Sequence, residues 1–399
     1  MKILILTNKP PYPAIDGGSI ATLALIRGLS EQGHEVTVLV MNTKKHHISP
    51  FELPAELTST IAFHLVEVPA PISLSGLISN LLFSKLPYNA QRFIAPNYRQ
   101  KLIALLEKQH FDIVQLEGLY LAPYINDIRN HSKATIAYRA HNIEHEIWER
   151  TLLQTKGIRK AYIKILARRI RNFEIAALNR YDLLVPITPR DFVRLNELGN
   201  TQPGLALPAG IDEQKELAPF IPSQRELFFI GALDWTPNQE GLLWFLDQCW
   251  PLLLDKAPQI NLSVAGRNAP EAFVQKIGRP HVHYLGEVKS ARDFMLENGI
   301  MIAPLFSGSG MRVKIVEGMS LGRVIVTTPI GCEGIEALNG QEILIEDDPV
   351  NFSTAILRLL NEPERQIQIS KNSFTFVQKN YVNEKLAGKL AGFYQTHIG

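Results

Sequence analysis

The chain has 399 residues, 46% hydrophobic and 20% charged, the proportions of a globular protein and longer than the roughly 100–200 residues usual for one domain. A net charge of +2 gives no overall basic field, so nucleic acid is not an expected partner. Cys249 and Cys332 sit in neither a CxxC pair nor a Cys/His cluster, which argues against a disulfide framework or a structural zinc and suits a reducing cytoplasm.

The start, Met1-Lys2-Ile3-Leu4-Ile5-Leu6-Thr7, is too short an apolar run for a signal peptide and reads as a buried first strand. No apolar run approaches the roughly 18 residues of a spanning helix. In the first half, strands are predicted at Lys2–Thr7, 34–40, 61–68, 112–117, 135–139 and 183–188. Several are apolar on both faces, as parallel strands covered by helices should be. A helix is predicted from Ser19 to about Glu31, where Ala21, Ala24, Leu25, Gly28 and Leu29 form one stripe. Strands of the second half are predicted at 227–231, Asn261–Ala265, 282–285, 300–304, 324–328 and 343–345. Proline and glycine between 200 and 222 mark a hinge. The pattern predicts an α/β protein with one architecture used twice. A last helix over 383–397 either closes the second domain or crosses back to the first.

Ligands of open α/β sheets bind outside the carboxyl ends of the strands, and three loops there stand out. After the first strand, Gly17-Gly18 precedes a helix and offers backbone N–H groups to an anion; the plainer alternative is a turn with Ser19 as N-cap. At the end of the strand near 135 lie His141 and Asn142. His141 and His145 have i, i+4 spacing beside Glu144 and Glu146, yet form no HExxH motif, and no metal is expected. The third loop runs Ser307-Gly308-Ser309-Gly310-Met311-Arg312-Val313-Lys314 into a helix carrying Glu317. A helix N-terminus with Arg312 and Lys314 in its first turns suits a diphosphate, and Glu317, one turn on, suits two vicinal hydroxyls such as those of a ribose.

The stretch 308–322 with the following 324–335 resembles the GT-B glycosyltransferases of family 4, in the branch with a GxGxRxKxxEaMa-type motif. Residues 2–18 resemble that family's first strand and glycine loop. Ala140-His141-Asn142 resembles its HN/HD element, 181–191 its "ad.vi.vS..d" strand, 207–212 its "iPnGvD" hinge and 229–240 its "fvGsldw.PN.dg" element. The resemblance implies two facing Rossmann-like domains with a central cleft and a C-terminal helix crossing back. The N-terminal, acceptor-binding domain would span 1–205 plus 381–399, and the C-terminal, donor-binding domain 206–380. It further implies that Glu317 accepts the ribose hydroxyls and that Arg312 and Lys314 bind the donor diphosphate. His141 would lie near the sugar and diphosphate, Gly17, Gly18, Ser309 and Gly310 against the donor, and Glu333 at the sugar pocket. The family's first Glu of a Glu-x7-Glu pair is Ser309 here, and its Arg and Lys after the first strand of the second domain are absent from 231–241.

The reaction so implied moves a hexose-type sugar from a nucleoside-diphosphate sugar to a glycan or lipid-linked acceptor, retaining configuration and using no metal or other cofactor. A degenerate nucleotide-sugar binder and a sugar-nucleotide epimerase are the alternatives; a dehydrogenase lacks its dinucleotide fingerprint. Residues 156–180 are rich in Arg and Lys, with Ile163, Leu166, Ala167 and Ile170 as an apolar stripe. Either this helix packs its stripe on the domain or it lies on the anionic inner face of a membrane. The apolar stretch 70–88 either packs locally or meets a lipid-linked acceptor.

Overall fold

The computed structural model describes residues 1–223, 225–308 and 310–398. The chain forms two compact units, one of Met1–Gly210 with Asn383–Gly399, the other of Ile211–Val382. Strands of the first unit are β1 (Lys2–Thr7), β2 (Glu35–Asn42), β3 (Ile61–Glu67), β4 (Ile113–Glu117), β5 (Thr135–Ala140) and β6 (Leu183–Pro186). They pair in parallel in the order β3-β2-β1-β4-β5-β6. Ile3, Leu4, Ile5 and Leu6 are all fully buried, which requires a helical layer on each face of the sheet.

Helices of this unit that matter below are α1 (Gly17–Glu31), α2 (Leu74–Phe83), α3 (Glu144–Gln154) and α4 (Ile158–Ala177). In the second unit the parallel strands are β7 (Glu226–Ile230), β8 (Asn261–Ala265), β9 (Val282–Gly286), β10 (Ile300–Ala303), β11 (Val324–Thr327) and β12 (Leu344–Ile345). Their order is β12-β11-β10-β7-β8-β9, the same winding as in the first unit. Strand order reverses between β1 and β4 in one sheet and between β7 and β10 in the other, the positions at which doubly wound sheets receive ligands. The second unit includes α5 (Thr236–Trp244) and α6 (Val313–Ser320).

The last helix, α7 (Asn383–Gln395), belongs to the first unit. Leu386, Leu390 and Tyr394 join Leu25, Ile26 and Leu29 of α1 in one buried cluster. Gly28 permits the approach, because a Cβ there would lie 2.7 Å from that of Ala387. Asn383 Nδ2 fixes the start of α7 by donating to Ala24 O at 2.5 Å.

The chain passes between units at Gly210/Ile211 and Val382/Asn383, later than the 205/206 and 380/381 of the sequence reading. The segment after Gly204 runs along β6: Leu205 N donates to Leu184 O at 2.9 Å and Leu207 N to Pro186 O at 2.8 Å. Leu207 is buried in the first unit's core. No helix among the described residues is long and apolar enough to cross a membrane. Both cysteines are buried and free, and burial pushes the Cys249 thiol up to about 12.

Candidate active site

In the second unit, the loop after β10 turns through Gly308 (φ +101°) and Gly310 (φ +77°). This left-handed region is cheap only for glycine, which explains the Gly-x-Gly spacing. Ser309 lies outside the described residues. A Cβ at Gly241, on α5, would collide with the Pro304 carbonyl oxygen, so α5 presses directly on this loop.

Arg312 corrects the sequence reading, which puts it within the helix. It is the N-cap of α6, with non-helical φ −85°, ψ 83°, and its carbonyl accepts from Ile315 N at 2.8 Å. Its guanidinium folds back, donating from Nη2 to Ser307 O at 3.3 Å and lying 5.5 Å from the Trp235 ring centroid.

Lys314 and Glu317 share one face of α6 and are half-buried. Burial lowers the Lys314 pKa, with Arg267 adding to the shift and Glu317 opposing it. Burial raises the Glu317 pKa, with Lys314 opposing and Asp212 reinforcing. Among the described residues the two form no ion pair within 4.0 Å with each other, so the carboxylate is not consumed by its neighbour. Arg267, directly after β8, is a further cation that the sequence reading missed; its signal is a charged residue in the Gly266-Arg267-Asn268 strand exit.

Glu333 lies half-buried in the loop after β11, its N–H donating to Ile330 O at 3.3 Å. Thr327 Oγ1 donates to Ala303 O at 2.7 Å and Thr328 Oγ1 to Leu305 O. These bonds hold the loops after β10 and β11 side by side.

In the first unit, α1 begins at Gly17, not Ser19. Asp16 is its N-cap, accepting from Ser19 N at 2.9 Å, while Ser19 Oγ accepts from Asp16 N at 3.1 Å. Ser19 completes this capping box from the third helical position. Gly17 and Gly18 are therefore first-turn residues whose N–H groups have no intrahelical acceptor. Burial would raise the Asp16 pKa, but Lys9, 2.6 Å away, and the Ser19 bonds outweigh it and lower it to about 2.

His141 follows β5 and meets a residue the sequence reading missed. Its Nε2–H donates to Glu117 Oε2 at 2.6 Å; an ionised carboxylate only accepts, so the proton is on the imidazole. Glu117 ends β4, is 5% exposed, and also accepts from Thr22 Oγ1 at 2.8 Å and from Gln115 Nε2. Arg139 Nε lies 3.9 Å from the same carboxylate and is buried. Tyr394 of α7 donates to Gln115 Oε1 at 2.5 Å. Burial alone would raise the Glu117 pKa; the His141 bond and the charges of His141 and Arg139 reverse this and lower it.

His145 does not join His141. It is 1% exposed, with Nδ1 2.5 Å from Glu174 Oε2. No group of three or more His, Cys, Asp or Glu suited to a metal occurs among the described residues. Burial and the nearby Glu174 raise the Glu144 pKa to about 7, against a hydrogen bond from Tyr120. The folded state therefore holds this proton after the unfolded chain has lost it. The corresponding stability is full below about pH 4.5 and lost as pH rises through about 7. Glu144→Gln should remove that dependence: its denaturant midpoint relative to wild type rises between pH 5 and pH 8. A constant offset would show that Glu144 is not proton-bearing.

Among known proteins, the family described as glycosyl transferases group 1 matches residues 224–362. An uncharacterised 44.6 kDa protein in the cps region of Klebsiella pneumoniae is 25% identical, across 96% of this chain and 97% of that protein. Sucrose-phosphate synthase of Thermosynechococcus elongatus superposes with a TM-score of 0.73 at 14% identity, covering 99% of each chain. HepE of Anabaena, solved with UDP, gives a TM-score of 0.67 at 15% identity, covering 99% of this chain and 100% of HepE. Residues 224–362 thus match the group 1 glycosyl transferases, and the two like-wound sheets give the chain the GT-B fold of sucrose-phosphate synthase and HepE.

Proposed function

We propose that the chain transfers a hexose from a nucleoside-diphosphate sugar to an acceptor hydroxyl, without a metal ion and with retention of anomeric configuration. The observation that supports this most is the set Lys314, Glu317 and Arg267 in the family-matched unit, with Lys314 and Glu317 on the helix that follows the β7/β10 switch point. Glu317 accepts hydrogen bonds from the two ribose hydroxyls. Lys314, the first-turn amides of α6, Arg312 and the 308–310 loop receive the diphosphate. Glu333 faces the sugar.

In the reaction, the bond from sugar C1 to phosphate oxygen breaks and its electron pair leaves on that oxygen. The acceptor oxygen bonds to C1 on the same face, and its proton passes to the departing phosphate. The sugar carries oxocarbenium character, and fixed cations offset the charge growing on the leaving group. The location of the Klebsiella relative in a cps region supports a glycan product, with a glycan or lipid-linked precursor as acceptor. The UDP and UDP-glucose complexes of HepE make uridine nucleotides the first to try.

Calorimetry with UDP, GDP, ADP, TDP and CMP tests this, in EDTA, on wild type and Glu317→Ala. Micromolar binding of one diphosphate is expected, unchanged by EDTA and about 10–100-fold weaker in the variant, the worth of hydrogen bonds to a charged acceptor. Because the Glu317 pKa is raised, binding should weaken as pH falls through a value above 4.5. No binding of any nucleotide by the folded protein would overturn the reading.

A further inference from the structure

We propose that α2 and the exposed basic side of α4 form a docking surface for an anionic lipid bilayer. α2 is amphipathic in the inverted sense. Its only buried residue is Asn80, whose Nδ2 donates to Leu86 O at 3.0 Å and Gln91 Oε1 at 2.5 Å. Gly76 faces inward as well; a Cβ there would lie 2.7 Å from Tyr88 Oη. Four of its six large apolar residues point out: Leu74 is 74% exposed, Ile78 50%, Leu82 68% and Phe83 85%, with Ile72 at 72% just before the helix, while Leu77 and Leu81 are half-buried. Asn80 and Gly76 leave no room to turn the helix over, so this face is held toward solvent by design of the sequence. A clustered apolar surface of this kind marks an interaction site.

Charge identifies the occupant. Arg169 of α4 ties the two helices together, donating to Asn80 O at 3.1 Å and Leu81 O at 2.9 Å. The apolar stripe of α4 is not available, since Leu166, Ala167 and Ile170 are buried in the unit. What α4 leaves outside is largely basic: Arg159, Lys160, Lys164, Arg168 and Arg171 are exposed, beside Ile165 at 42% and Ile175 at 39%. Residues 151–173 carry seven Lys and Arg and no Asp or Glu, and residues 68–106 carry four and none. The chain as a whole is only +2, so everything outside these two segments sums to −9. Protruding aliphatic and aromatic side chains beside a concentration of unopposed cations match the acyl boundary and headgroups of an anionic membrane. In this arrangement α2 inserts and α4 supplies the attraction, a division of labour between two elements.

Flotation of the full chain with phosphatidylglycerol-containing vesicles, with pure phosphatidylcholine vesicles, and at high salt tests the proposal. Wild type should float with the anionic vesicles, and about tenfold less with neutral ones or at high salt. Leu82→Glu/Phe83→Glu should lose about tenfold or more of the partition, as should Lys160→Gln/Lys164→Gln/Arg168→Gln. Unchanged circular dichroism establishes that both variants are folded. Failure of wild type to float with anionic vesicles, or flotation of either variant equal to that of wild type, overturns the proposal. So does a concentration-dependent dimer that Leu82→Glu/Phe83→Glu abolishes without any vesicle binding, which would make the surface a contact with a second copy. Nucleotide binding is read separately by calorimetry, so failure here leaves the donor site untouched.

Discussion

Lys314→Met should lower kcat by about 10²–10³-fold, with a much smaller rise in the donor KM. The ammonium sits in the first turn of α6, where the helix dipole is positive and where a diphosphate would lie. In the proposed site, ground-state binding of the donor would have other sources, among them the helix amides and Glu317. The extra negative charge exists only as the C1–oxygen bond stretches, so losing a cation aimed at it falls on kcat. Burial first, and Arg267 second, hold the Lys314 pKa below its usual value, opposed by Glu317. The wild-type rate should therefore begin to fall at a lower pH than an ordinary lysine would dictate, and this alkaline limb should vanish in the methionine variant. Steady-state kinetics over pH 6–10 measure both effects. A rise in KM at unchanged kcat would confine Lys314 to ground-state binding. Arg312→Met should cost less than Lys314→Met, because that guanidinium is engaged with Ser307 O and the Trp235 ring and shapes the loop.

The strands were legible because parallel strands buried on both faces appear as bare apolar runs: Asn261–Ala265 is found as predicted, and Leu183–Pro186 ends two residues before the predicted 188. The start of α1 was less so. Gly17-Gly18 looks like a turn, yet Asp16 and Ser19 have the spacing of a capping box, and the box decides the boundary. The orientation of Arg312 was hidden because a cation before a helix reads alike whether it points to a ligand or folds onto an aromatic ring. Glu117 was invisible for a different reason. Its partners Thr22 and His141 are 95 and 24 residues away in sequence, and only the adjacency of β1, β4 and β5 brings them together. The inversion of α2 was hidden too, since an apolar helix is ordinarily assigned its apolar side as the buried one. Asn80 at the centre of that helix was the available signal.

The same winding in both units gives the two sets of residues a common logic. Each lies at the exit of strands flanking its own switch point: β1, β4 and β5 supply Gly17, Glu117 and His141, while β8 and β10 lead to Arg267 and Lys314. The two sets differ in how their charges are compensated. Lys314 and Glu317 form no mutual ion pair, whereas Glu117 is enclosed by four side chains of its own unit. One arrangement leaves capacity for a ligand, and the other fixes a side chain in place.

That enclosure makes Glu117→Ala the substitution with the largest expected effect on stability, a loss of about 3–5 kcal/mol for the first unit. The alanine leaves Arg139 buried, with no other carboxylate within 4.0 Å among the described residues, and deprives Thr22 and Gln115 of their acceptor. The comparison that isolates the charge is Glu117→Leu/Arg139→Met, which removes both ions and fills their volume with apolar groups. Such replacements are often neutral, so the double variant should recover most of the loss seen in Glu117→Ala. Denaturant midpoints of the single and double variants measure this. Equal destabilisation of the two would mean that the hydrogen bonds, not the Arg139 charge, govern the site. The pH dependence has a definite sign. The folded pKa of Glu117 is lowered, so its stabilisation is present above the unfolded value of about 4.5 and is lost as pH falls below it. Activity separates the structural role from the positioning one. The double variant regains stability but not the Glu117–His141 bond, so a turnover that stays low would show that this bond, and not the fold of the first unit alone, matters to the proposed reaction.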